Sequence, residues 1–389
     1  MKLFENADLI VVGAGFYGMT VAERAAAEGF NVVVVDKRAH IGGNAYSYSD
    51  PATGIEIHKY GPHVFHTNSE AIFKYLSRFT EWEPYEQRTW SVVKGRIYPL
   101  PINLATICLF NGRVMSPDEA RAWVDESARE IREPRNLEEK AISLIGRPLY
   151  EAFVKGYTWK QWQTDPRELP AEIITRLPVR FNFDNRYFND TYQCLPRDGY
   201  TAIFEKMASS RRISVHLGVD WFDLEERAAP PAPVVYTGPI DRYFDYRHGV
   251  LGWRTIDLEL ETLQVADHQG CPVMNFADLE VPWTRVSEFK HFHPRREPTR
   301  QTVIAREFSR SAGAADDPYY PINLADDKAR FDAYRELARR ETDVLFGGRL
   351  GTYRYLDMHQ AIGAALSVWE KDLRPRLTSA KPFDFRQVG

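Results

Sequence analysis

The stretch Leu9–Asn44, LIVVGAGFYGMTVAERAAAEGFNVVVVDKRAHIGGN, constrains the fold of this chain more than any other. A short apolar run, Leu9–Val12, predicts one buried parallel strand. A turn then places Gly13, Gly15 and Gly18 in G-x-G-x-x-G spacing, and a helical pattern, Phe16–Glu28, is broken at Gly29. A second apolar run, Val32–Val35, ends at Asp36. Each glycine has a mechanical role: Gly13 for the tight turn, Gly15 for close approach of a pyrophosphate, Gly18 for helix–strand packing. The helix N-terminus, opening at Phe16, offers unpaired N–H groups to the phosphates. Asp36 stands where an acid can accept from a ribose hydroxyl. An isolated glycine turn would say little, but strand, turn, helix, strand and acid in this order predict a dinucleotide site.

The continuation after Asp36, KRAHIGGN, adds Lys37, the pair Gly42-Gly43 and Asn44. A nicotinamide enzyme has no evident need for a second glycine pair so close to the acid. This continuation resembles the FAD-binding half of the glutathione-reductase-like flavoproteins. The bland alternative for Gly42-Gly43 is an ordinary turn.

The remaining composition narrows the class. Of 389 residues, 44% are hydrophobic and 27% charged, which suits a soluble globular chain of two or three domains. The net charge of −4 argues against a general nucleic-acid surface. Cys108, Cys194 and Cys271 form no metal or redox motif, so free thiols in a reducing compartment are expected. No apolar run reaches the roughly 20 residues of a membrane span. With the first strand beginning by Leu9 no signal peptide is expected, and a cytoplasmic location is. The 20 Tyr, 22 Phe and 9 Trp are the compositional oddity: many must be core, but a pocket that stacks on a base or sugar would also use them.

Past Asn44 the stretch HKYGPHVFHT carries His58, His63 and His66. It lacks a Cys or carboxylate at ligand spacing, so no metal is expected; a histidine beside a flavin fits better, and His58 reads equally as structural. Ser69–Phe79 predicts a helix capped by Ser69. Thr89–Val93 and Arg96–Tyr98 flank a turn at Lys94-Gly95. Ser116-Pro117-Asp118-Glu119 is a capping box opening a helix to about Ile131, Asn136 with Glu139 opens another that Gly146 stops, and Pro148–Gly156 makes a third. Residues 101–178 therefore read as a helical insert. Its end presents Phe153, Tyr157, Trp159 and Trp162, then Arg176, Arg180 and Tyr187, with Pro166, Pro170 and Pro178 favouring a mobile loop around Arg176. Rings for a base and guanidinium for a diphosphate suit a nucleotide; an aromatic core under solvated arginines is the plain alternative.

Phe181–Cys194 and Arg254–Phe308 alternate as strands of an antiparallel sheet. Gly199–Met207 predicts a helix, and Val215–Leu217 and Val234–Tyr236 two further strands, the second leading into Thr237-Gly238-Pro239. Asp326–Thr342 reads as a helix with a charged face. In VLFGGRLGTYRYLDMHQAIGAALSVW a strand, Gly347-Gly348-Arg349 and a tyrosine-rich link precede a helix near Asp357 whose N-terminus returns to the cofactor. After about Lys371 the chain reads as a polar tail.

From about Leu9 to Trp369 the chain resembles the bacterial UDP-galactopyranose mutases. The shared motifs are VVGAGFYG, DKRAHIGGNAYS, IHKYGPHVFHTN, NLEEKAISLIGRPLYEAFVKGYTWKQW, RLPVRFNFDNRYFND, YTGPIDRYFDYR, VPWTR, DDPYYPIN and FGGRLGTYRYLDMHQAI. The resemblance implies interconversion of UDP-galactopyranose and UDP-galactofuranose without net redox change. It implies reduced FAD, with N5 as covalent nucleophile at the anomeric carbon. It casts Arg176 as the loop arginine closing on the diphosphate and Arg285 as its partner from the sheet. Phe153, Tyr157, Thr158 and Trp162 become uridine and loop contacts, and Tyr187, Asn275, Tyr320, Tyr355 and Asp357 line the substrate. His66 falls beside the flavin with a catalytic part. Cofactor contacts are Gly13, Gly15, Phe16, Gly18, Asp36, Lys37, Gly43, Asn44, His63, Gly238, Arg349, Tyr355, Asp357 and Met358. A homodimer or larger homo-oligomer is the family default.

The expected fold is α/β: a discontinuous Rossmann-like FAD-binding domain (residues 1–84, 200–246 and 320–370), a helical-bundle insert (101–178) and an antiparallel β-sheet domain (85–100, 179–199 and 247–319), with 371–389 as tail. A flavin amine oxidase or desaturase shares such a cofactor architecture but needs an apolar or amine-accepting channel rather than paired arginines. A non-catalytic flavin or nucleotide sensor gives no reason for both a cofactor cradle and a second phosphate site.

Overall fold

The computed structural model describes residues 3–174, 179–293, 299–313 and 315–379. At its centre lies an all-parallel sheet in the order Ile213–Leu217, Val32–Asp36, Leu9–Val12, Val234–Tyr236, Val344–Phe346. Leu9–Val12 occupies the middle, and its alternate side chains serve two cores. Leu9 and Val11 pack toward the helix Phe16–Ala27, while Ile10 and Val12 join Trp221, Phe244, Trp253 and Tyr334. Burial on both faces explains why this run is uniformly apolar instead of alternating. Three of the five strands arrive from distant sequence, so the dinucleotide fold is assembled discontinuously.

A seven-stranded sheet runs Tyr320–Pro321, Trp253–Leu263, Thr302–Ser311, Arg285–Glu288, Val273–Phe276, Thr89–Val93, Arg96–Leu100. Its pairs are antiparallel except one: Val273–Phe276 lies parallel to Thr89–Val93. Alternation in a sequence reports faces, not direction, and the long connection between these strands leaves either direction open.

Between two strands of this sheet the chain builds the insert. Asn103 caps the helix Leu104–Asn111, the Ser116/Glu119 capping box opens Pro117–Ala128, and Asn136 caps Leu137–Ile145. A helical path then runs from Arg147 to Trp162, longer than Pro148–Gly156, through a wide π turn at Tyr150–Lys155. Ile107, Ala120, Ala141, Ile142, Ile145 and Tyr150 form a core of their own.

Two expectations are corrected. Phe181–Cys194 does not join the large sheet: Tyr192–Pro196 pairs instead with Phe65–Thr67 and Trp82–Pro84. Ahead of it, Asn182 and Asp184 each accept a backbone N–H two residues on, at 2.9 and 3.1 Å, which turns the chain where a strand would keep it straight. The tail is not a tail at its start. Helical structure continues through Trp369–Leu373 and Arg374–Ser379, and Trp369 and Leu373, four residues apart, are fully buried in the main core. Among the described residues no helix is long and apolar enough to cross a membrane.

The buried helix end makes a stability prediction. Leu373→Ala should lower unfolding free energy by about 2–5 kcal/mol, and exposed Lys371→Ala by no more than about 0.5. Equal effects in denaturant titrations at matched cofactor loading would show that this segment is not core.

Candidate active site

The carboxyl ends of the parallel strands open into a cavity of about 440 Å³ that extends to the large sheet. At the strand end, Gly13 and Gly18 face each other so closely that a Cβ on Gly18 would lie 2.0 Å from the Gly13 carbonyl oxygen. The second glycine pair is no ordinary turn. Gly43, at φ +56°, packs on Gly15, where an added Cβ would come within 3.1 Å of the Gly15 Cα. Two backbone edges without side chains thus border one wall of the cavity at the N-terminus of the helix Phe16–Ala27. This suits a pyrophosphate, which needs bare N–H groups and room.

Asp36 is fixed for its part. Its carboxylate accepts from the Ala14 N–H at 2.8 Å and the Arg38 N–H at 2.9 Å, joining strand end to glycine turn. Sequence reading missed Arg38. Its guanidinium lies 4.4 Å from the Tyr60 ring centroid, donates to Asn44 at 2.9 Å and pairs with Asp317 at 3.1 Å. Lys37, Thr237 and Gly238 complete this end, and Phe16, Asn44, His63, Arg349, Tyr355, Asp357 and Met358 also line the cavity.

The histidines separate by role. His63 Nδ1 donates to the Gly61 carbonyl at 2.7 Å, and burial, with Arg349 and Arg285 nearby, pushes it down to about 4. It is therefore neutral at pH 7. His58 is buried and its Nδ1 accepts the His63 N–H, a structural position. His66 donates from Nδ1 to Asp190 at 2.9 Å and stacks on Phe188 with centroids 3.8 Å apart. The three do not converge on one point; His66 instead approaches Asp357 and His359, with one potential ligand atom from each within 4.8 Å of the others.

The far wall is a row across the sheet. Asn275 pairs with Arg285, and Arg285 with Glu307, directly opposite one another on adjacent strands and so on one face. Arg285 Nε donates to Glu307 Oε2 at 2.7 Å, and among the described residues no hydrogen bond uses Nη1 or Nη2. Burial alone would lower the guanidinium, but Glu307 and the phenols of Tyr157 and Tyr320 hold it well above its ordinary value. It stays charged. Tyr157 and Tyr320 are raised chiefly by burial, against the pull of Arg285, and keep their protons for donation. Tyr320 stacks on Tyr355 at 5.7 Å, Arg349 lies over Tyr355 at 4.7 Å, and Tyr187 closes the side. Arg349 itself is held by the carbonyls of Tyr319 and Leu356 at 3.0 and 2.7 Å.

The cavity thus gathers Tyr157, Tyr187, Asn275, Arg285, Tyr320, Tyr355 and Asp357 with every expected cofactor position. It does not gather Phe153, Thr158 or Trp162. Phe153 is buried in the insert core against Tyr98 at 5.1 Å, Thr158 is buried, and Trp162 packs on the same core. Phe153 falls inside the π turn Tyr150–Lys155, with its ring in the insert core. Arg176 lies outside the described residues. Glu307 carried no sequence signal, because only strand register reveals that it faces Arg285.

A dinucleotide cradle that shares one cavity with a fixed cation and protonated phenols defines an enzyme that brings an anionic ligand to a nucleotide cofactor. The comparisons make this specific. Residues 152–355 match the family model of UDP-galactopyranose mutase, and residues 11–79 that of the NAD(P)-binding Rossmann-like domain. The chain is 45% identical to a probable UDP-galactopyranose mutase of Klebsiella pneumoniae, covering 95% of both chains. It is 41% identical to a dTDP-fucopyranose mutase of Escherichia coli, covering 92% of this chain and 96% of that one. Its fold matches the crystal structure of a reduced UDP-galactopyranose mutase with a TM-score of 0.71 at 15% identity, over 96% of this chain and 97% of the other. The chain belongs to the UDP-galactopyranose mutase family.

Glu307 gives this wall a test. Glu307→Gln removes the partner of a cation whose side chain is 23% exposed and should destabilise the protein by about 2–4 kcal/mol, toward the lower end of buried pairs because the cavity solvates part of Arg285. A change under about 0.5 kcal/mol on chemical denaturation would mean that water, not Glu307, compensates Arg285.

Proposed function

We propose that this protein interconverts UDP-galactopyranose and UDP-galactofuranose, with FAD in its reduced form as cofactor and no net redox change. The observation that carries the reading is Arg285, held by Glu307 in a ring of protonated tyrosines, in the cavity that also contains the two-glycine cradle. The cradle fits a dinucleotide: Gly13, Gly15, Gly18 and Gly43 would take the pyrophosphate, Asp36 a ribose, and His63, His66, Arg349, Asp357 and Met358 the flavin end. When bound, reduced FAD supplies the nucleophile at the anomeric carbon.

The chain's own groups act on the leaving diphosphate. UDP gains negative charge as its bond to the sugar breaks, so a cation aimed at it lowers the barrier more than it tightens the ground state. At about 4 Å and an effective dielectric near 20, one arginine–phosphate contact carries a Coulomb term on the order of 4 kcal/mol before desolvation. Glu307 keeps Arg285 oriented through Nε, which commits the Nη edge to the ligand. Tyr157, Tyr187, Tyr320 and Tyr355 donate to phosphate or sugar oxygens and exclude water, and Asn275 extends the same polar row. Arg176 is assigned to the diphosphate from the insert side. Neutral His63 adds no charge beside the flavin, and Asp190 orients His66.

The wider assignments belong to the same proposal. Of the division into cofactor domain, helical insert and sheet domain, the insert is supported by a core of its own, while the parallel sheet and the large sheet share one. A cytoplasmic location is supported by free Cys108, Cys194 and Cys271. The active form is a homodimer or larger homo-oligomer. A second reading, a dTDP-fucopyranose substrate, is favoured by the 41% relative. Galactose carries a C6 hydroxyl where fucose has a methyl, so the two differ by one polar contact in the sugar site.

Chromatographic conversion of UDP-galactofuranose with and without dithionite tests the reading, with dTDP-fucofuranose run in parallel. Conversion of the UDP-sugar only with dithionite is expected. Equal rates without reductant overturn the flavin part, and faster turnover of the dTDP-sugar overturns the substrate. Arg285→Ala and Arg176→Ala should each lower turnover by about a hundredfold or more. A loss below about threefold returns either residue to a solvated role.

A further inference from the structure

The helix that carries Tyr157, Gly156–Trp162, is joined to the large sheet by an unusual contact. Lys160 Nζ lies within hydrogen-bond distance of four backbone carbonyls, which share its three N–H donors: Phe276 at 2.7 Å, Asp278 at 2.9 Å, Val281 at 3.0 Å and Trp283 at 2.9 Å. Phe276 ends the strand Val273–Phe276, and the other three belong to the connection between it and the strand Arg285–Glu288. Among the described residues no carboxylate lies within ion-pair distance of Nζ; the ammonium is matched by oriented carbonyl dipoles. Burial pushes it down to about 8, with Asp278 and Glu280 opposing, so it remains charged at neutral pH. One helical turn earlier, Gly156 lets the helix backbone reach the same connection, where a Cβ would lie 2.1 Å from the Ala277 carbonyl oxygen. Gly156 and Lys160, four apart, present one face.

The connection that they grip has two feet, Asn275 and Arg285, directly paired across the strands and both in the cavity wall. We propose that Lys160 is a positioning residue: by clamping residues 276–284 to the helix, it fixes Arg285 and Asn275 opposite Tyr157. This deepens the proposed function and rests on it for the activity readout. Beyond the backbone bonds at its two ends, Phe276 to Thr284, Ala277 to Val92 and Thr284 to Glu307, the loop is held by charge-assisted bonds from the ammonium. Without the ammonium those carbonyls must find water, and the hairpin gains freedom at the residues that set the cation.

A purely structural lysine would lower stability without depending on Arg285, and a double-mutant cycle separates the two cases. Lys160→Met in the parent should lower kcat/KM by about tenfold or more, and by less than about threefold in the Arg285→Ala background. Additive losses, or a parent effect under about twofold, overturn the proposal. Lys160→Ala leaves the carbonyls facing a space that ammonium ion can enter. Ammonium chloride should restore amide-exchange protection across 276–285 and part of kcat/KM, and tetramethylammonium chloride at equal ionic strength should not. Equal effects of the two salts overturn the clamp. If the alanine variant fails to fold, Lys160→Gln, with two donors for four carbonyls, should show intermediate exchange in the same segment; parent-like exchange overturns the proposal. A parent without UDP-sugar turnover rejects the proposed function alone, since amide exchange still reads the clamp.

Discussion

A charged guanidinium largely withdrawn from water must be held by something, and in this protein strand register does the holding. Arg285 and Glu307 are opposite residues on neighbouring strands, and Asn275 stands opposite Arg285 on the next. A slip of one residue in either pairing would send one member of the row to the other face of the sheet. The cost of stranding a buried carboxylate or guanidinium then adds to the apolar pattern in fixing the pairing. The same pair that equips the cavity for an anion therefore also specifies the sheet that contains it.

What the sequence revealed follows how local each determinant is. Leu9–Asn44 is legible because strand, glycine turn, helix and acid are adjacent in the chain, and the contacts that matter, Asp36 to Ala14 and Gly43 to Gly15, span a few tens of residues. The helix caps at Ser69, Ser116 and Asn136 are legible for the same reason. The Asn275–Arg285–Glu307 row is not: its members come from three strands, and nothing in the local pattern at Glu307 distinguishes it from a solvated acid on a strand. Resemblance supplied Arg285 and Asn275 but left Glu307 and Lys160 unmarked. Lys160 lies in a run of aromatics where a lysine reads as the solvated edge, and its partners are backbone atoms that no side-chain pattern encodes. Phe153, which the resemblance made a uridine or loop contact, lies in the insert core, inside a π turn. The continuation of the helical end through Leu373 was missed because one apolar residue among charges looks like a tail until the core that receives it is known.

The cradle and the sheet wall answer different questions. A glycine turn, a helix N-terminus and an acid recognise a dinucleotide whatever reaction follows, so that half of the cavity defines a broad class of enzymes. The charge row and the phenols held protonated by burial are particular: Asn275, Arg285, Glu307 and Tyr320 lie on the large sheet and Tyr157 on the helix that the insert lends to it, with Arg349 and Tyr355 alongside from the segment after the last parallel strand. Selectivity for the substrate then depends on how these two bodies meet. The contact between them at Gly156 and Lys160 is therefore as much a part of the site as the side chains that face the ligand. A cavity wall made of two elements stays complementary to a transition state only while their separation is fixed to a fraction of an ångström. Carbonyl oxygens around an ammonium fix it with little dependence on neighbouring side chains, which leaves the faces of both elements free to be shaped by the ligand they receive.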